Sequence, residues 1–142
     1  MAVDGSPTSM RGLREALRVA KDDRAQLLLL HVVNEFYAFA SLDGAAPAAD
    51  LVPALREGGR RTLDKAKALA EKAGVSAKTV LRETLGGAAA DTIVREARKQ
   101  RADLIVLGTH GRRGIRRMVL GSDAEQVVRV SPVPVLLVRA AK

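Results

Sequence analysis

Short apolar runs alternate with stretches whose apolar residues recur at helical spacing, and this alternation constrains the fold of the chain more than any other property. Ala25 to Val33, Lys78 to Leu85, Asp103 to Gly108 and Val133 to Arg139 read as strands. Between them Leu13, Ala16, Leu17 and Ala20 repeat with a helical period, as do Leu55, Leu63, Ala66, Leu69 and Ala73, then Ile93, Val94 and Ala97. Val127, Val128 and Val130 fit a fourth helix. Strands separated by helices pair in parallel and are covered on both faces, so the expected class is α/β.

The ends and breaks of these elements carry their own signals. Met1, Ala2 and Val3 read as the tail of a short first strand that enters a turn at Asp4 and Gly5, with Ser6 and Pro7 as helix cap and first helical position. Gly58 and Gly59 are expected to weaken the second helix by roughly 1 kcal/mol each relative to alanine, and Gly74 to stop it. Pro132 and Pro134 flank Val133, which makes the last strand an expected edge. Asn34 to Val52 reads as a surface loop holding all three aromatics, Phe36, Tyr37 and Phe39, which close over the core or a subunit contact in one reading and stack on a ligand base in the other.

Composition narrows the function classes. With 142 residues and no cysteine, the chain has the size of one domain and no disulfide or thiolate metal ligand, while His31 and His110 lie far apart in sequence. His31, inside an apolar strand, reads as a satisfied structural histidine. No apolar run approaches a membrane span and no secretory leader is evident, so a soluble cytoplasmic protein is expected. The net charge of +8 raises the possibility of nucleic acid. Single-strand readers present stacking aromatics, however, and an aromatic content of 2% gathered in one loop does not supply them.

The charge is concentrated where the chemistry is. Gly108 to Ser122 reads GTHGRRGIRRMVLGS, with Arg112, Arg113, Arg116 and Arg117 in a stretch without an acid, directly after an apolar strand and before a helix. Glycines allow backbone N–H groups to approach an anion, and a helix N-terminus adds donors and a favourable dipole. Ligands of doubly wound sheets sit beyond the carboxyl ends of the strands, where strand order reverses. If the five strands are ordered 3-2-1-4-5, Asp4 and Gly108 are neighbours at that point and face one crevice. The Walker spacing is absent, as is any water-positioning base for phosphoryl transfer, so no dedicated catalysis is expected and any turnover of a phosphorylated ligand should be slow. A flavodoxin-like carrier would need its phosphate loop after the first strand, where AVDGSP offers few donors.

The loop spacing, Gly108, Gly111, Gly121 and Ser122, resembles the Gly-x-x-Gly, nine residues, Gly-Ser/Thr motif of ATP-binding universal stress proteins. The likeness extends over nearly the whole chain through AVDGSP, LLLLHVV, DLIVLGTHGRRG and SPVPVLLVR. It implies one doubly wound domain over residues 1–142, with a five-stranded parallel sheet of order 3-2-1-4-5 and helices on both faces. It also implies a stress-response regulator that binds ATP with magnesium or manganese. Ala2, Val3 and Val33 would contact adenine, and Asp4 the ribose and the bound metal. Leu107, Gly108, His110, Gly111, Gly121, Ser122 and the backbone of Asp123 would surround ribose and phosphates, with Arg112 supplying charge.

Three residues have further readings. Ser122 with Glu125 spells a capping box, and Asp4 is a natural turn former before Gly5. Asp123 stands where the family has a small or apolar residue, and its carboxylate would repel a polyphosphate, lowering affinity. The alternative within the family is a protein that acts through protein partners without ATP; outside it, a basic nucleic-acid-binding module. The VLLV edge, Val135 to Val138, is expected to pair with a second copy in a homodimer, as the family commonly does.

Overall fold

The strands Leu27–Asn34 and Ile105–Gly108 form where leucine, isoleucine and valine side chains are buried on both faces, Ala77–Thr84 and Val135–Val138 are only partly covered, and each helix forms where one stripe can be buried. The computed structural model describes residues 1–35, 48–109 and 120–139. Its elements are α1 (Pro7–Asp22), β1 (Leu27–Asn34), α2 (Ala48–Lys72), β2 (Ala77–Thr84), α3 (Ala89–Lys99), β3 (Ile105–Gly108), α4 (Ser122–Val130) and β4 (Val135–Val138). The α/β alternation is thus as expected, but the strands are trimmed. Ala25 is excluded from β1 because its N–H closes the end of α1 on Ala20 O. Leu85 leaves β2 for an exposed turn, and the ladder of β4 starts from the carbonyl of Pro134, which accepts from Ile105 N, because proline has no N–H to give. Of the loop expected over Asn34 to Val52, Ala48 onward is helix; Phe36, Tyr37 and Phe39 lie outside the described residues.

β1 pairs with β2, and β3 with β4, both in parallel. These are two two-stranded sheets rather than one five-stranded ladder. The expected first strand is reduced to a single parallel bridge between Ala2 and Leu30. Around it Val3 N donates to Leu30 O at 2.8 Å, Leu30 N to Met1 O at 2.9 Å, and Ala2 N to Val106 O at 3.3 Å. Three residues supply too few donors for a full ladder on either side.

Alternate residues divide the core between two faces. Leu29 and Val106 pack with Val3, Leu13, Ala16, Leu63 and Ala66 beneath α1 and α2. Leu30, Ile105 and Leu107 pack with Ala90, Ile93, Val94 and Val127 beneath α3 and α4. Helices therefore cover both faces. In α2 the buried stripe runs through Leu63, Ala66 and Ala70, while Leu69, expected inside, is 41% exposed. In α4 only Val127 of the three valines is buried; Val128 and Val130 face outward.

Three helices end in the same way, with a left-handed residue followed by a backbone bond reaching back five positions. Arg24 (φ 52°), Gly74 (φ 73°) and Arg101 (φ 51°) precede Ala25 N to Ala20 O, Val75 N to Ala70 O and Ala102 N to Ala97 O. Gly74 does this at no steric cost and is the stop its sequence suggests. The two arginines hold the same conformation because the chain must turn there to enter the next strand.

The amino group of Met1 donates to Leu28 O at 3.0 Å and is desolvated by the sheet, which lowers its pKa from 8.0 to about 6. Folding therefore releases a proton that the unfolded amine keeps between these values. Because the unfolded state binds more protons in that window, stability of a chain carrying this amine is lost as pH falls from 8 towards 6, by about 2–3 kcal/mol in all. Urea unfolding at pH 6 and pH 8 measures this, and acetylation of the amine should abolish the difference.

Candidate functional site

The carboxyl ends of the parallel strands are drawn together by the first turn of α1. Ser6 caps that helix, accepting from Ser9 N at 3.1 Å, and Pro7 occupies the first position, as its sequence implies. Gly5 sits at φ 81°, a conformation that favours glycine, and lets the chain turn from Val3 into the cap. Asp4 Oδ1 accepts from Ser6 N at 2.9 Å, so this carboxylate does form the side-chain turn. Its own N–H donates to Ser9 Oγ at 3.3 Å.

Ser9 is also the neighbour of Gly108. A Cβ at Gly108 would lie 3.0 Å from Ser9 N, Thr8 C and Thr8 Cγ2. This glycine is thus required by the close approach of α1 to the end of β3, where the sequence suggested an approach to phosphate. From Gly108 the chain passes through buried Thr109, whose N–H donates to Val138 O and whose carbonyl accepts from Gly121 N, both at 2.9 Å. Thr109 and Gly121 are therefore bonded directly to each other. His110, Gly111 and Arg112, with Arg113, Arg116 and Arg117, lie outside the described residues.

Gly121 (φ −61°, ψ 142°) is the N-cap of α4, and Ser122 is the first helical residue. The capping box is not formed: no side chain caps this helix, Glu125 N donates to Gly121 O, and the Glu125 carboxylate pairs with Arg129 at 3.1 Å. The serine stands one position too late in the helix to cap it. Ser122 and Asp123 are consequently exposed, and with Asn34, Gly87, Ala88, Ala89 and Gln126 they line a cleft of about 280 Å³. Ala88, the N-cap of α3, makes no side-chain cap either, so two helix N-termini without a side-chain cap among the described residues face this cleft. Asn34 Nδ2 donates to Gly87 O at 3.1 Å across it.

Val3, Val33 and Leu107 are buried to 2%, 4% and 5% exposure, and Ala2 is half-buried. The structure thus brings Asp4, Gly108, Gly121, Ser122 and Asp123 onto one continuous path through Ser9 and Thr109. Asn34, Gly87, Ala88 and Gln126 were not singled out from sequence; the available signal is the Gly86-Gly87 pair after β2, with Gly87 at φ 89°. Among the described residues no group of three His, Cys, Asp or Glu side chains is placed to hold a metal ion. Nor is any helix long and apolar enough to cross a membrane. The pair of Arg82 with Glu96, at 2.8 and 3.0 Å, lies on the α3 side and holds the Glu96 carboxyl below its usual range. It fastens α3 to β2 and takes no part in the cleft.

The sequence profile of the universal stress protein family matches residues 1–139. The chain belongs to the universal stress protein family. A universal stress protein of Methanocaldococcus jannaschii is 37% identical over 139 residues, covering 98% of this chain and 79% of the relative. Among solved structures, a family member from Burkholderia pseudomallei is 35% identical with a TM-score of 0.75, covering 98% of this universal stress protein and 92% of that chain. The universal stress protein of Archaeoglobus fulgidus solved with dAMP is 25% identical, with a TM-score of 0.68 over 96% and 93% of the two chains. Another, solved with cAMP, is 25% identical with a TM-score of 0.70 over 99% and 94%.

Proposed function

We propose that this universal stress protein is a cytoplasmic ATP-binding regulatory protein, one domain over residues 1–142, without dedicated catalysis. The observation that carries the reading is the continuous path from Asp4 through Ser9, Gly108, Thr109 and Gly121 to the cleft at Ser122 and Asp123. The relatives solved with dAMP and cAMP support an adenine nucleotide as the ligand. In this reading Ala2, Val3 and Val33 would contact adenine, and Asp4 the ribose and a magnesium or manganese ion. The backbone N–H groups of Ser122 and Asp123 would offer donors to phosphate at the start of α4, beside Gly121, whose own N–H is held by Thr109 O. His110, Gly111 and Arg112 complete the proposed set. The metal, when bound, would neutralise phosphate charge. A cleft of about 280 Å³ is at the small end of ligand sites, so a triphosphate would extend past its described walls.

The finer fold reading goes with this function. The Ala2–Leu30 bridge and the bond from Ala2 N to Val106 O support a sheet of order 3-2-1-4-5 with Met1 to Val3 as its central strand. Val135 to Val138 would pair with a second copy in a homodimer, since β4 has β3 as its partner on one side and no other strand beside it among the described residues. Leu136 and Leu137 pack against the two cores, so that pairing would be made by backbone.

Calorimetric titration of the protein with ATP and magnesium tests the nucleotide reading. Saturable binding with one site per chain supports it, and no heat of binding at millimolar nucleotide would sink it. Asp123→Ala is expected to tighten ATP about five- to tenfold at low salt and AMP by less, because it removes a negative charge beside the polyphosphate. Equal tightening for both nucleotides would argue against a phosphate lying there.

A further inference from the structure

One buried histidine ties the candidate site to the opposite side of the core. His31, in the middle of β1, is 4% exposed, and its Nδ1 lies 2.7 Å from the carbonyl oxygen of Val3. A carbonyl can only accept, so Nδ1 carries the proton. The next peptide N–H, that of Asp4, donates to Ser9 Oγ, which in turn donates to Ser6 O at 3.2 Å. The Val3–Asp4 peptide is therefore held at both poles, by an imidazole on its carbonyl and a hydroxyl on its amide. On the far side of the ring α2 presents bare backbone. A Cβ at Gly59 would stand 2.7 Å from His31 Cδ2 and 3.2 Å from Nε2. The imidazole is wedged between α2 and Val3 and cannot back away from the carbonyl.

We propose that His31 is a positioning residue of the nucleotide site: by fixing the Val3 carbonyl it sets the direction in which the chain presents Asp4. This rests on the nucleotide reading, because Asp4 is the residue proposed to meet ribose and metal. Donation to the carbonyl also polarises the peptide and strengthens the Asp4 N–H as a donor to Ser9, so the two bonds support each other. The Asx turn from Ser6 N then orients the carboxylate on a peptide that is already fixed.

Two replacements separate positioning from packing. His31→Leu keeps an apolar filler and removes the donor, whereas His31→Asn places an amide N–H close to the position of Nδ1. A role confined to packing favours leucine in a buried strand over asparagine, in stability and in every other readout. Positioning predicts the opposite order at the site. The full chain is studied by backbone amide exchange, with folding verified by circular dichroism, and by titration with ATP and magnesium. In His31→Leu, exchange at Asp4 should rise about tenfold while the amides of β3 and α3 stay protected, and ATP affinity should fall about tenfold. His31→Asn should recover most of both despite a lower unfolding midpoint. Asparagine performing no better than leucine, or Asp4 exchange unchanged in His31→Leu, would overturn the proposal. Should wild-type protein bind no nucleotide, the function proposed above fails by that result alone, and exchange at Asp4 still decides whether His31 fixes the peptide.

Discussion

Gly59→Ala is expected to destabilise the protein by about 1–3 kcal/mol, although it replaces the poorer helix former by the best one in the middle of a 25-residue helix. The added methyl would meet His31 Cδ2 at 2.7 Å and Leu81 Cδ1 at 2.8 Å. The Leu81 methyl can turn aside, but His31 is held by Val3, so relief of that contact requires moving α2 away from the sheet. Gly58→Ala, one position earlier, should have the opposite sign. Among the described residues nothing lies closer to its added methyl than Arg61 Nη2 at 3.9 Å, so the gain in helix propensity of about 0.5–1 kcal/mol is kept. Urea unfolding of the two variants side by side checks the pair. Stabilisation by both would mean that α2 leaves room for a methyl group beside His31.

The second large effect falls on the glycine that looked most like a ligand contact. Gly108→Ala is expected to cost about 1–2 kcal/mol of stability in nucleotide-free protein, because its methyl would press at 3.0 Å on backbone atoms of Thr8 and Ser9. Backbone in the capped first turn of a helix cannot swing aside as a side-chain tip can. An unfolding midpoint equal to wild type without nucleotide, combined with lost binding, would assign Gly108 to the ligand instead. The expected result is a lower midpoint in both conditions.

These two glycines show how much of the molecule its sequence makes readable. Local signals were read well where local forces decide: Ser6 and Pro7 start α1, Gly74 ends α2, and the alternation of Leu29 with Leu30 sends side chains to both helix layers. Signals whose meaning depends on register failed. Ser-x-x-Glu at 122 to 125 needs the serine at the N-cap, and Gly121 occupies that place. Arg24 and Arg101 adopt the left-handed conformation with no sequence sign of it, because the following strand dictates the turn. Gly59 and Gly108 answer to neighbours 28 and about 100 residues away in sequence, which no local pattern encodes. Of the residues lining the cleft, Ser122 and Asp123 belong to the motif the sequence displays; Asn34, Gly87 and Gln126 enter only through the meeting of α3, α4 and β1.

The central claim is that one adenine nucleotide occupies the strand ends between Asp4 and the start of α4. Titration of isotopically labelled protein with ATP and magnesium, followed through backbone amide resonances, tests it most directly. The account predicts saturable shifts at Asp4, Gly5, Gly108, Gly121, Ser122 and Asp123, with residues on the outer face of α3 such as Arg95 and Arg98 unmoved. Saturable shifts confined to that outer face, or none at millimolar ATP, would contradict it.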